Sequence, residues 1–257
     1  TPRLCPPIPL RELLLAITAN DSVEDFENAF ARMSQTKHAF AFPYGRTALL
    51  CLLEAMGISD SQVLCPSYTC VVVPHAITDS ANEPVFVDCK QDSFLMDLEL
   101  AAKAANELPK PRALLATSLF GEPVSHASLE AFSAQCPDVD IIQDCAHSFL
   151  CQDAGRPVHK HGLAAIFGLN FSKIITSVFG GMVTTDDDDL AVALREVRAT
   201  RISPASLKKS ITRRMYYIAA RLSLWPPLFG GVQFLSRYRI IDRFVRYYSE
   251  TKIDMPR

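Results

Sequence analysis

Two ionisable residues carry the first chemical signal, an acid that ends an apolar run and a lysine in a turn of small residues. Asp144 closes Ile141-Ile142-Gln143-Asp144, and Lys173 lies 29 residues further on in Asn170-Phe171-Ser172-Lys173-Ile174-Ile175-Thr176, shortly before Gly180-Gly181. A lysine amine can form a Schiff base with an aldehyde cofactor. A carboxylate can keep a pyridine nitrogen protonated so that the ring draws in electrons. Pyridoxal phosphate chemistry needs both groups. Each alone has an ordinary explanation, because loop lysines are usually solvated and acids at strand ends form turns or cap helices. A third element upstream strengthens the pair.

That element is Phe42-Pro43-Tyr44-Gly45-Arg46-Thr47-Ala48-Leu49. The run Ala39–Phe42 reads as a strand. A helix is expected from Ala48, with Leu49, Leu52, Leu53 and Met56 at i, i+3, i+4 and i+7. Gly45 is expected to let the chain turn sharply between them. The first free amides, the Thr47 hydroxyl and the Arg46 guanidinium would then face one point, an anion site suited to a phosphate ester. The same stretch can also be read as a plain strand-to-helix turn capped by Thr47. No Gly-x-Gly-x-x-Gly occurs here, so it is not a dinucleotide fingerprint.

With these blocks in order, the chain resembles the DegT/DnrJ/StrS family of pyridoxal-phosphate-dependent sugar aminotransferases. The resemblance rests on Phe26-Glu27-Asn28-Ala29-Phe30, Gly45-Arg46-Thr47-Ala48-Leu49 and Cys65-Pro66-Ser67-Tyr68-Thr69. It continues through Pro84-Val85-Phe86-Val87-Asp88, Phe120-Gly121-Glu122-Pro123, Asp144-Cys145-Ala146-His147, Ser172-Lys173 and Gly180-Gly181-Met182-Val183-Thr184-Thr185. What the resemblance implies is specific. Lys173 would bind the cofactor and later shuttle the proton, and Asp144 would pair with the pyridinium nitrogen. His147 would contact the ring's phenolic oxygen, Gly45, Arg46 and Thr47 would hold the phosphate, and Tyr68 would cover the ring. Two departures stand out. Gly168 occupies a position where many members have a phosphate-binding serine, which leaves Ser172 or Arg46 as substitutes. Cys70 stands where an aromatic residue is common.

To position these residues the chain needs an alternating α/β pattern, and it has one. Strands are expected at Gln62–Cys65, Val85–Val87, Ala113–Thr117, Asp140–Gln143, Ala164–Phe167 and Met182–Thr185. Helices are expected near Thr69–Thr78, Asp97–Ala105 and His126–Ala134. The expected fold is a three-layer α/β/α domain with a mainly parallel sheet, so that Asp144 and Gly45 both lie at strand ends, where open sheets bind ligands. The resemblance implies the seven-stranded large domain of the aspartate-aminotransferase type (fold type I).

Composition agrees with a protein that builds a core: 49% of the 257 residues are hydrophobic and 21% are charged. The eight cysteines contain no Cys-x-x-Cys pair and read as reduced, mostly buried thiols of a cytoplasmic protein. No histidine lies at ligand spacing from them, so no metal site is expected.

Residues 1–200 read as the cofactor-binding large domain. Residues 201–257 read as a basic, aromatic-rich helical connector toward a C-terminal small domain expected to be missing. The connector holds twelve Lys/Arg and three Asp/Glu, a net of +9, against fourteen and twenty-five in residues 1–200, a net of −11. Arg221, Pro226-Pro227 and Gly230-Gly231 break its apolar run, which argues against a transmembrane span. An anionic membrane surface is one reading of it, and packing on the protein or a partner subunit is the preferred one. The chain ends at Met255-Pro256-Arg257.

The resemblance implies transfer of an amino group from glutamate or glutamine to a nucleotide-linked keto sugar, as in polysaccharide biosynthesis, by a homodimer with composite sites that does not bind nucleic acid. The run from Met215 to Leu235 is expected to lie against the second chain. Two alternatives remain: a pyridoxal-phosphate sugar dehydratase, in which a histidine generally replaces the lysine, and a non-catalytic scaffold that keeps the fold and associates with membrane through its basic segment.

Overall fold

The computed structural model describes residues 22–170, 172–177, 179–203, 206–223 and 225–238, together with Arg11, Leu14 and Leu15. Phe171 of the lysine turn, Cys5 and the terminal Met255-Pro256-Arg257 lie outside the described residues. Ser22–Ile202 forms one compact unit, and the described residues before and after it belong to a second.

The first unit opens with α1 (Val23–Ser34), started by a reciprocal capping box between Ser22 and Asp25. Then come β1 (His38–Phe42), α2 (Gly45–Ala55), β2 (Gln62–Pro66), α3 (Val72–Asp79) and β3 (Glu83–Val87). They are followed by α4 (Leu98–Glu107), β4 (Pro111–Thr117), α5 (His126–Gln135) and β5 (Asp140–Asp144). A two-stranded ribbon, β6 (Gln152–Asp153) and β7 (Arg156–Pro157), leads to β8 (Ala164–Gly168), β9 (Gly181–Thr185) and α6 (Asp188–Arg201). Asp97 and Asp187 cap α4 and α6 with their carboxylates, which satisfies amides that a helix start leaves free.

Seven strands form one sheet in the order β1-β9-β8-β5-β4-β2-β3. β9 runs antiparallel to both neighbours, and the other strand pairs are parallel. The C-terminal ends of β1, β8, β5, β4 and β2 therefore share one edge with the start of β9. The core strands read as near-continuous apolar runs, as expected when helices cover both faces: Leu114, Leu115 and Ala116 of β4 are fully buried. One apolar cluster joins Leu64, Leu114 and Ile141 to Leu98, Ala101, Leu129 and Phe132 of α4 and α5. A second gathers Phe30, Ala165, Phe167 and Met182.

Four readings need correction. α2 begins at Gly45, not Ala48, and α3 at Val72, not Thr69. Gly45 is absent from the glycines with positive φ, so no unusual turn depends on it. The cap of α2 is Tyr44, whose side chain makes no capping hydrogen bond, so Thr47 is not a cap either.

In the second unit, α7 (Leu207–Ser223) and α8 (Pro226–Arg237) pack against one another across a short joint that contains Trp225.

Candidate active site

Asp144 is the last residue of β5, paired in register with Thr117, the last residue of β4. Its carbonyl oxygen accepts the Ser118 amide at 3.2 Å, and the next amide, of Cys145, donates to Ile166 O at 2.8 Å. These bonds tie the strand end to both neighbours and fix the direction of the carboxyl group. That group is 5% exposed, and its Oδ1 accepts the Ala146 amide at 3.0 Å. Burial raises the Asp144 pKa, opposed by the Ala146 amide and the Lys173 ammonium.

Lys173 is held by a local turn. Its amide donates to Asn170 O at 3.0 Å, while Asn170 Oδ1 accepts both the amide (3.1 Å) and the hydroxyl (2.8 Å) of Ser172. The amine is half-buried. Burial lowers its pKa, and the carboxylate of Asp144 and the sulfur of Cys70 pull it back up. His147 is pushed down by burial first and by the Lys173 charge second. An amine, a carboxylate, an imidazole and a thiol thus meet at one edge of the sheet.

The lysine stem lies over Gly168, where a Cβ would meet Lys173 Cε at 3.2 Å and Ala146 Cβ at 3.3 Å. Gly168 in turn abuts the start of α2, because a Cβ on Gly45 would sit 3.4 Å from Gly168 Cα. A Cβ on Gly181 would collide at 2.6 Å with Gly45 N, Gly45 Cα and Tyr44 C. Glycine is used here for close approach of three backbones, which brings the helix start next to the lysine.

That helix start fits a phosphate. The Tyr44 side chain makes no capping hydrogen bond to it, which leaves its first turn of amides open to another acceptor. Thr47 is 5% exposed, and its hydroxyl oxygen has no hydrogen-bond partner among the described residues. An unsatisfied buried hydroxyl costs about 1–3 kcal/mol, a cost that a phosphate oxygen would relieve.

Other residues singled out in the sequence sit differently. Arg46 stacks its guanidinium over the Tyr44 ring at 4.6 Å, and Tyr44 meets Phe179 edge-on at 6.0 Å. Ser172 is exposed and engaged with Asn170. Tyr68 is 49% exposed and packs on Phe94 at 5.1 Å. Phe94 leads to Phe120 at 5.7 Å, and Phe120 meets His147 at 5.6 Å. Cys70, rather than Tyr68, acts directly on Lys173.

Sequence reasoning missed Phe94, Phe120 and Thr117 as members of this edge. Thr117 was open to discovery as the end of a strand. Phe120 adopts φ of 53°, a left-handed conformation that costs a non-glycine residue about 1–3 kcal/mol and often marks a functional site. Nothing in the local sequence signals that conformation.

An open polar cleft, lined among others by Asp60, Lys110, Arg112 and Asp138, lies at the opposite edge, by the N-termini of β2 and β4. It shares no residue with the lysine site. No cluster of three or more His, Cys, Asp or Glu able to hold a metal occurs among the described residues.

Fold and site together define an α/β domain with a lysine and a buried acid at the carboxyl edge of a mainly parallel sheet. The chain belongs to the DegT/DnrJ/EryC1/StrS aminotransferase family, whose pattern matches residues 14–223. It is 33% identical over 183 residues to GDP-perosamine synthase of Caulobacter vibrioides, an alignment covering 71% of this chain and 48% of the relative. It is 30% identical over 185 residues to dTDP-3-amino-3,4,6-trideoxy-alpha-D-glucose transaminase of Micromonospora megalomicea, covering 71% and 49%. Among solved structures, DesI crystallised with its TDP-sugar product superposes with a TM-score of 0.63 at 30% identity, covering 68% of this chain and 44% of that one. The chain spans about half the length of the curated relatives it matches.

Proposed function

We propose that this chain carries the cofactor-binding half of a pyridoxal-phosphate-dependent aminotransferase. The amino group would pass from glutamate or glutamine to a nucleotide-linked keto sugar. One observation carries the reading: the half-buried Lys173 amine, the buried Asp144 carboxylate and His147 form one electrostatic cluster beside a helix start whose Thr47 hydroxyl has no partner among the described residues. When bound, the cofactor supplies an electrophilic aldehyde and a ring that accepts electrons.

The protein residues supply the rest. Burial lowers the Lys173 pKa, so a larger fraction of the amine is neutral near pH 7, able to attack a carbonyl and afterwards to carry a proton. Asp144 offers a carboxylate held at a strand end, where its charge is worth more than in water. Gly45, Thr47 and the amides at the start of α2 would receive the phosphate, and His147 would serve the ring oxygen. Whatever nitrogen the sugar gains the donor loses, so two half-reactions alternate and the kinetics should be ping-pong.

Sugar substrates are supported by the relatives named above, and a glutamine donor by a third, L-glutamine:scyllo-inosose aminotransferase of Streptomyces griseus at 30% identity. The reading includes a homodimer and a cytoplasmic location, both resting on family membership.

The test is spectroscopic. Added pyridoxal phosphate should give an absorbance band at the edge of the visible that borohydride removes, and peptide mapping should place the reduced adduct on Lys173. An adduct spread over surface lysines would sink the assignment.

A further inference from the structure

The two helices of the second unit leave much of their apolar surface exposed. On α7, Leu207, Ile211, Met215 and Leu222 are 77%, 53%, 59% and 47% exposed. At 100° per residue these four and Ile218 fall within a sector of about 80°. The cations respect that sector. Arg214 and Arg221 flank one side and Lys208 the other, while Lys209 and Arg213 lie opposite. α8 adds exposed Leu228 and Leu235, and an exposed Phe234–Tyr238 pair at 4.7 Å. Trp225, the sole tryptophan, stands 48% exposed in the joint. Between Ser203 and Tyr238 there are six Lys/Arg and no Asp/Glu.

We propose that α7 and α8 form a docking surface for an anionic lipid bilayer and lie in its interface without crossing it. No helix among the described residues is long and apolar enough to span a membrane. A narrow apolar sector edged by long cationic side chains is the pattern of an interfacial helix. The apolar face enters the headgroup boundary, and the Lys and Arg stems reach back to the phosphates. Tryptophan at the joint fits the same boundary, where an amphipathic ring is half wet. A second copy placed on the same surface by a two-fold axis would bring Lys208, Lys209 and Arg214 against their own like. A nucleic acid would use the charge but leave the apolar sector in water. The inference does not depend on the cofactor chemistry, so the two fail separately.

The experiment is flotation of the 257-residue chain with vesicles of equimolar phosphatidylcholine and phosphatidylglycerol, against phosphatidylcholine alone, while Trp225 emission is followed. The chain should float with the anionic vesicles only, Trp225 should shift to the blue, and added salt should weaken both. The triple substitution Lys208→Gln, Arg214→Gln, Arg221→Gln should lower partitioning about a hundredfold. Lys209→Gln with Arg213→Gln, opposite the apolar sector, should cost less. All five are exposed or half-exposed surface positions, and circular dichroism verifies the helices in each variant. Four results would overturn the proposal: no flotation, equal flotation on neutral vesicles, RNA binding without lipid binding, or a Trp225 shift that follows protein concentration and ignores vesicles. The last would place a second copy on the helices.

Discussion

The sheet unit and the two-helix segment invert each other's chemistry. In the sheet unit most apolar residues are inside, with Phe94 and Phe120 exposed at the site edge, and the informative buried exceptions are polar: Asp144 at 5% exposure and Thr47 at 5%, the latter with a hydroxyl unpartnered among the described residues. In the helical segment the exceptions are apolar and outside, with Leu207 at 77% and Met215 at 59%. Scattered exposed leucines are ordinary, but a buried unsatisfied polar group and a contiguous exposed apolar stripe each call for a ligand of complementary kind. The first calls for a phosphate and a ring nitrogen, the second for a surface with an apolar depth and an anionic rim. Charge follows the same division, −11 up to residue 200 and +9 beyond it.

The largest effect that could break this comparison is chemical. Lys173→Ala should abolish the borohydride-sensitive band and lower turnover by at least ~10²–10⁴-fold, the range associated with loss of a proton-transferring group, while far-ultraviolet dichroism stays unchanged. Full turnover in that variant would remove the polar exception from the sheet unit's account.

Stability separates the two regions next. Leu114 of β4 is fully buried in the larger cluster, so Leu114→Ala should cost about 2–5 kcal/mol in denaturant unfolding. Ile211→Ala, at a site 53% exposed, should fall within about 0.5 kcal/mol of the parent. Equal costs would mean that Ile211 is buried in solution and that the helices are covered.

Much of this was legible in the sequence. The βα alternation, the strand ends at Phe42 and Asp144 and the lysine turn followed from apolar runs and small-residue punctuation, because those patterns are local. The start of α2 was placed three residues late because its first turn, Gly45-Arg46-Thr47, has no apolar periodicity. Gly45 was read as a turn former because a single sequence shows where glycine stands, not which backbone approaches it. The contacts with Gly168 and Gly181 are made across the sheet and become visible only in three dimensions. The chain Tyr68–Phe94–Phe120–His147 was hidden for the same reason: its members come from four separate loops.

Those glycines sharpen the comparison inside the sheet unit. Gly181→Ala drives a methyl group into backbone atoms at 2.6 Å, which cannot yield as a side-chain tip would. It should cost about 1–3 kcal/mol and weaken cofactor binding together. Gly168→Ser meets the flexible end of Lys173 at 3.2 Å and Ala146 Cβ at 3.3 Å, with no backbone atom as close, and adds a hydroxyl beside the helix start. It should cost less and leave cofactor affinity unchanged or improved, as titration of the absorbance band would show. If the two substitutions behave alike, the close approach of β9 to α2 is not what shapes the cradle.

The subtlest expected effect concerns what the buried acid costs before any cofactor arrives. Burial raises the folded pKa of Asp144 above its ordinary value of 3.8. The folded chain therefore holds this proton at pH values where the unfolded chain has released it. By linkage the contribution of this group is most favourable at low pH, and stability is lost as pH rises through the window that begins near 3.8. At neutral pH the carboxylate is a liability that the Ala146 amide and Lys173 only partly offset. Asp144→Asn keeps the oxygen that accepts the Ala146 amide and removes the charge. The cofactor-free variant should thus melt at a higher temperature than the parent at neutral pH, with the advantage shrinking near pH 4, while its borohydride-sensitive band and turnover suffer. Calorimetry at the two pH values decides the matter. A variant less stable than the parent at neutral pH would show that attraction between Asp144 and Lys173 outweighs burial, and that the site is an ion pair held for stability rather than a charge held ready for a ligand.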